Sequence, residues 1–319
     1  MSTMMTVKEI IDLCKGFRGF TRKSCLGDVL RVFGNMQLDD AGFIEVAGVK
    51  VVASTDGILE DLVRLNPYMA GLYSVVVNVN DVVAKGAKPV GYMNVISSPH
   101  RENRLKMAEG AKAGVDLYGL KVLKGHTHPD QSYESIDAAV IGVASQIIPS
   151  DGMKVGDEIL VAIDLSGSAK TRRWIKCFDS IVESSRNEVL RKLSSMMTIA
   201  EKNLANASRD ISAPGIIGSL TMMCESSGLG VRCSLEEIPR PGNINLAEWL
   251  TMYPSVGFIV ATEHAAKCRK IFEECGLTVG QVGQATDDEK IVLTWNGEKG
   301  VFMDLTKESM FGLKPRVEK

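Results

Sequence analysis

VNVNDVVAKGAKP, from Val77 to Pro89, is the stretch whose reading decides the fold. It closes an apolar run that predicts a helix over 69–85, stopped by Gly86 with Pro89 beyond. Asp81 stands in that helix among Val79, Val82 and Val83. A carboxylate there is either the polar edge of a helix face or a ligand. Left buried and unpaired it would cost roughly several kcal/mol.

Other aspartates sit where apolar runs stop beside small residues: Asp39 and Asp40 in LDDAG, Asp56 in ASTDG and Asp210 in SRDISAPG. Carboxylates at strand ends are what a chain needs to hold Mg²⁺ against a polyphosphate, which bare carboxylates would repel. Each also has a plain structural reading. Asp39 or Asp40 suits a turn, Asp56 an Asx turn, and Asp210 the cap of a following helix. One metal cluster is more economical than four separate explanations.

Length and composition set the frame. The 319 residues allow two domains, 45% are hydrophobic, and the net charge of −2 gives no basic field for nucleic acid or an anionic membrane. The dense cationic run KTRRWIK, Lys170 to Lys176, reads as a solvated helix face or a steering patch for anions. No apolar stretch nears the roughly 20 residues of a membrane span. The N-terminus lacks the apolar core of a signal peptide, and the seven cysteines form no C-x-x-C pair. These features predict a cytoplasmic, reduced protein.

A short amphipathic helix (Val7, Ile10, Ile11) leads into the glycine-punctuated basic stretch CKGFRGFTRKSCLGD. A hairpin follows, Gly42 to Val46 and Val49 to Ser54, turning at Ala47-Gly48. After the 69–85 helix come strand 90–96, helix 101–118, strand 120–123 and strand 136–148. Residues 150–157 are rich in turn formers and divide the chain into domains 1–150 and 151–319. In the second domain, strand EILVAIDLS precedes helices over about 177–206 and 216–225, then an alternating tail. Strands and helices without strict βαβ order predict an α+β fold.

No G-x-x-x-x-G-K-[ST] loop, dinucleotide fingerprint, nucleophile elbow or H-E-x-x-H site is present. The ordered series LDDAG, STDG, VNVNDVVAKGAKP, GHT and D-I-S-x-x-G instead resembles the PurM-like superfamily. Its members include aminoimidazole ribonucleotide (AIR) synthetase, thiamine monophosphate kinase, selenophosphate synthetase and HypE. The resemblance runs from about residue 37 to 305. It implies a two-domain α+β fold with an N-terminal domain forming a dimeric β-barrel, hence a homodimer, and a C-terminal α/β sandwich. It also implies ATP and Mg²⁺ as cofactors, with Asp39 or Asp40, Asp56, Asp81 and Asp210 as metal ligands. Asn78 and Thr127 are the implied polar helpers.

GHTHPD separates the branches. Lys124-Gly125-His126-Thr127 is similar to the G-G-H-[ST] of selenophosphate synthetases but lacks the first glycine. His126 is the candidate acid–base residue; the alternative is a turn histidine without chemistry. The His126-x-His128 pair lacks an evident third metal ligand. Lys15 and Lys23 are candidates to cover a triphosphate from a mobile loop, and Cys14 reads as a buried helix residue or a reactive thiol. The cysteine tail of HypE and the serine-histidine-asparagine-glycine loop of the purine enzyme are both missing. GHTHPD, KGAKP and SRDISAPG together resemble the AIR-synthase-related methanogenesis markers of methanogenic archaea. The expectation is an ATP-using phosphotransferase with an unidentified acceptor. The alternatives are a non-catalytic ATP-binding sensor or scaffold in cofactor or metalloenzyme maturation, and a phosphatase using the same metals.

Overall fold

The computed structural model describes residues 5–34, 38–172 and 175–313. In chain order these form α1 (Val7–Gly16), α2 (Arg18–Thr21), a tight 3-10 turn (Arg22–Cys25) and α3 (Leu26–Phe33). The hairpin β1 (Gly42–Val46) and β2 (Val49–Gly57) leads to α4 (Glu60–Leu65), α5 (Pro67–Ala84) and β3 (Lys88–Ser97). Then come α6 (Arg101–Tyr118), β4 (Lys121–His128) and β5 (Ser135–Ala144). β6 (Glu158–Ile163), β7 (Ser168–Arg172) and β8 (Ile175–Asp179) precede α7 (Arg186–Glu201) and β9 (Ala207–Asp210). α8 (Gly215–Ser227), β10 (Gly230–Ser234), α9 (Leu246–Leu250), β11 (Tyr253–Pro254) and β12 (Gly257–Thr262) follow. The chain finishes with α10 (Ala265–Glu274), β13 (Thr278–Thr286), β14 (Lys290–Trp295) and β15 (Glu298–Asp304).

Close contacts divide the chain into two compact units, neither of them continuous. One holds Asp40–Ile147 and Ile181–Lys202; the other holds Met1–Asp39, Ile148–Ser180 and Asn203–Lys319. Two segments are thus traded across the boundary expected at residue 150. The apolar stripe of α1 explains the first. Val7, Ile10, Ile11 and Cys14 are buried in one cluster with Ile291, Phe302 and Leu305. Each such side chain removed from water contributes about 1.5–3 kcal/mol. The second is α7, whose Ala200 closes on Gly86 at the end of α5.

The Asp40–Ile147 unit is built on a five-stranded sheet of order β1-β2-β5-β3-β4, with β3 and β4 parallel and the other neighbours antiparallel. Among the described residues this sheet is open, and no barrel closes within one chain. α5 packs on one face and is buried nearly all round, from Ala70 to Ala84, which a surface helix never is. α6 crosses it closely: a Cβ on Gly110 would stand 1.8 Å from the Tyr68 carbonyl oxygen.

The other unit holds a seven-stranded sheet of order β15-β14-β10-β13-β6-β12-β9 and a small three-stranded one, β11-β8-β7. Three local expectations give way. GHTH lies within β4, not in a turn. The basic stretch after α1 is helical rather than a loop. KTRRWIK belongs to the β7–β8 pair rather than a helix, with Arg173 and Trp174 outside the described residues. No described helix is long and apolar enough to cross a membrane.

Candidate functional site

The face of the five-stranded sheet under α5 gathers the polar groups. Ser54 on β2 is in register with Val140 on β5, which is in register with Tyr92 on β3. Side chains in register share a face, and the next residue of the same parity shares it too. Ser54 therefore places Asp56 on the α5 side, and Tyr92 places Asn94 and Ile96 there. α5 meets this face with Ser74, Asn78 and Asp81. The Ser74 hydroxyl lies 2.8 Å from that of Tyr92, and Asn78 Nδ2 donates to the Ser74 carbonyl at 2.9 Å. Ser54 Oγ stands 2.6 Å from Asp81 Oδ2 and 3.0 Å from Asn78 Oδ1. It has one proton, and the shorter, charge-assisted contact takes it.

Asp81 is thus 9% exposed with a hydroxyl fixed on one carboxylate oxygen. Asp56, at the end of β2, is exposed and lies in a strand, so the Asx-turn reading of it fails. One turn beyond Asp81, Lys85 is fully buried, with its ammonium 3.7 Å from Asp40 Oδ2. Asn78, Asp81 and Lys85 stand at i, i+3 and i+7, one face of α5. Neither Ser54 nor Lys85 is among the residues expected from the sequence. Lys85 was legible only as part of a helix stop, since burial opposite Asp40 is a tertiary fact.

The two adjacent aspartates part company. Asp39 accepts from the Ser150 N–H at 2.8 Å and the Ser150 hydroxyl at 2.5 Å, anchoring the chain within the other unit. In that unit Asp210 ends β9, in register with Phe258 and 2% exposed. It does not cap α8, whose N-cap is Pro214. Lys15 pairs with Glu308 at 3.0 Å and lies over the Phe302 ring. Lys23 is half-buried in the turn before α3.

His126 and Thr127 diverge as well. Thr127 is in register with Ile96, on the α5 side; His126 is in register with Val95, on the opposite face. Within one chain, His126 does not face Asp81. Its ring makes an edge contact with His128, centroids 4.5 Å apart.

Burial decides the cysteine question. Desolvation pushes the Cys14 thiol up to about 12, the Cys233 thiol up to about 12, and that of Cys224 higher still. A thiol so raised stays protonated near neutrality and is a poor nucleophile. Cys25 is exposed, with its Sγ 3.1 Å from the Arg22 carbonyl. Brief iodoacetamide treatment of the native protein, followed by peptide mapping, will label Cys25 and spare Cys14, Cys224 and Cys233. Early labelling of Cys14 would overturn its placement in the core.

With this geometry in hand, comparison with known proteins is informative. The family described as AIR synthase related protein matches residues 38–144 with its N-terminal domain and 137–296 with its C-terminal domain. The chain belongs to the AIR synthase related family. Uncharacterized protein MJ0640 of Methanocaldococcus jannaschii is 32% identical over 97% of this chain and 100% of its own length. Thiamine-monophosphate kinase of Pyrococcus horikoshii is 27% identical, over 63% of this chain and 67% of the relative. Among solved structures, T. maritima PurL complexed with ATP superposes with a TM-score of 0.70 at 16% identity, covering 83% of this chain. The chain spans 46% of that PurL. The fold is thus the mixed α/β, two-domain fold of the AIR synthase related family, which includes ATP-using enzymes.

Proposed function

We propose that this AIR synthase related protein is a Mg²⁺-dependent enzyme that transfers a phosphoryl group from ATP to a small-molecule or maturation-factor acceptor. The observation that carries the reading is the convergence of Asp56, Asn78 and Asp81 on one face of the sheet, with Ser54 holding Asp81 in place. Carboxylate and amide oxygens are the hard donors that Mg²⁺ takes, so the residues present fit that ion. Asp40 and Asp81, each offering a carboxylate oxygen within 4.8 Å of the other's, would hold it, with Asp56 on the same face as a further carboxylate. Bound there, Mg²⁺ supplies the charge that neutralises the polyphosphate. Ser54 orients the Asp81 carboxylate, and the buried Lys85 ammonium pairs with Asp40. The resemblance adds Asn78 and Thr127 as polar helpers on the same sheet face. The kinase among the relatives supports ATP as donor.

Phosphorus NMR of products from ATP tests the proposal, with and without Mg²⁺ and with sulfide, selenide or amide acceptors. ADP or AMP is expected only with Mg²⁺. A second reading, a nucleotide-binding sensor or scaffold without chemistry, is favoured by one observation. His126 lies on the face of the sheet away from Asp81, so within a single chain this candidate acid–base residue is not brought to that aspartate. Tight ATP binding with no product under any acceptor would establish it.

The outer face of the same sheet supports a homodimer. Ile44, Val46, Val49 and Val143 are all exposed, by 64, 52, 46 and 38%, and their registers put them on the face away from α5. A second copy laid on this face would bury them. Sedimentation analysis should find a dimer that Ile44→Glu dissociates; a monomeric wild type would exclude it.

A further inference from the structure

α6 carries a second polar feature whose residues, Thr127 apart, the proposed ATP chemistry does not use. Its inner side, Met107, Gly110, Ala111, Gly114 and Val115, is buried. A different stripe, Arg101, Arg104, Leu105 and Ala108, runs at i, i+3, i+4 and i+7 and turns toward the sheet edge. There it meets Ile96 of β3 and Thr127 of β4, and these six residues line a pocket of about 320 Å³. The pocket exists because β4 is an edge strand left uncovered: all of its residues from Lys121 to Thr127 are exposed. The size lies at the small end of the range for small-molecule sites, roughly 300–1,000 Å³.

Its chemistry is divided. Ile96, Leu105 and Ala108 form an apolar wall. Arg101, Arg104 and Thr127 supply the polar part of the lining. Arg104 is fixed, since its Nη1 donates to the Ser98 carbonyl at 2.7 Å, which leaves the rest of its planar fork for a ligand. Ser98 is itself held by Glu134, whose carboxylate takes Asn103 Nδ2 at 2.8 and 3.0 Å and does not line the pocket. Arg101 is exposed, and no hydrogen bond or ion pair with any described residue engages it. Thr127 lines the same space. Two guanidiniums one turn apart, one preset and one able to close, are what binds an oxyanion at two edges. Asp56, a candidate metal carboxylate on this face, shares a row with Asn94 and Gly125, two strand spacings or about 10 Å from β3 and three or about 14 Å from β4.

We propose that this pocket is a binding site for a small organic oxyanion, a phosphate ester or carboxylate. Arg101, Arg104 and Thr127 grip the charged group, and Ile96, Leu105 and Ala108 cover its apolar body. The proposal does not depend on ATP turnover.

Calorimetric titration of the full chain, without nucleotide or Mg²⁺, tests it with phenyl phosphate, benzoate and inorganic phosphate. At least one of the two aromatic probes should bind, more tightly than inorganic phosphate, and the tighter of the two identifies the oxyanion. Arg101→Gln should weaken binding about tenfold, the usual effect of removing one charged hydrogen-bond donor from a ligand. Ala108→Phe should abolish it by filling the pocket without changing charge. Both positions are exposed, so both variants should melt like the parent. Failure of both aromatic probes to bind would overturn the proposal, as would inorganic phosphate binding equally well. Undiminished binding in both variants would place the ligand elsewhere and overturn it too.

Discussion

Asp81→Asn is expected to lower Mg²⁺-dependent ATP turnover by at least about a hundredfold while leaving the fold in place. The magnitude follows from metal sites in general, where losing even an outer-shell partner costs roughly 10–100-fold in affinity or activity. The preserved fold follows from the local geometry. Asp81 is held by the Ser54 hydroxyl at 2.6 Å, and an asparagine carbonyl oxygen accepts the same proton from the same position. What the substitution removes is the negative charge. Asp56→Asn is the companion variant, made at an exposed strand end. Turnover of Mg-ATP, followed by phosphorus NMR beside a thermal melt of each variant, separates impaired chemistry from impaired structure. If both variants turn over like the parent, the aspartates hold no catalytic metal and the assignment falls.

The second large effect is on stability. Lys85→Met should destabilise the protein by about 3–5 kcal/mol, the usual result of removing one partner from a buried ion pair. Lys85 is fully buried and the Asp40 side chain is 3% exposed, so water cannot replace the missing ammonium. Methionine fills nearly the same volume, which confines the change to charge. Pairing Lys85→Met with Asp40→Asn should recover much of the deficit, because the charge is then removed from both sides of the buried pair. Urea unfolding of the parent, the two single variants and the double variant gives the coupling directly. A Lys85→Met protein within about 0.5 kcal/mol of the parent, the range of an ordinary surface change, would mean that the pair carries no stability.

The parts of the fold that the sequence disclosed are those with a strong local signature. α5 was legible from its unbroken apolar run and Gly-Pro stop, and the β1–β2 hairpin from Ala47-Gly48. β4 was legible only in its first residues, as the strand expected over 120–123, because an edge strand exposed on both faces has no alternation of apolar and polar residues to betray the rest. GHTH therefore passed for a turn. Glycine misled in the basic stretch after α1. A Cβ on Gly19 would stand 2.1 Å from the Ala213 carbonyl oxygen, and one on Gly27 would stand 2.2 Å from that of Gly312. These glycines allow close approach of packed backbone, and they do not mark a loose loop.

The site was legible as a set of aspartates and less so as an arrangement. Adjacent residues such as Asp39 and Asp40 look equivalent in a sequence, yet one anchors to Ser150 and the other to Lys85. His126 and Thr127, also neighbours, are sent to opposite faces by the period of a strand.

The exchange of α1–α3 and α7 between the two units also sets a timetable for synthesis. As the chain leaves the ribosome, the sheet containing β1 to β5 is complete by residue 144, yet Gly86 still lacks the α7 turn that covers it. The first helices emerge earlier still, and their apolar stripe finds Ile291 and Phe302 only when the last strands appear. Much of the burial of α1 therefore waits for strands made about 280 residues later. The nascent protein carries exposed apolar surface throughout translation, and a chaperone that shields α1 until β15 arrives would serve it better than one acting on the finished chain.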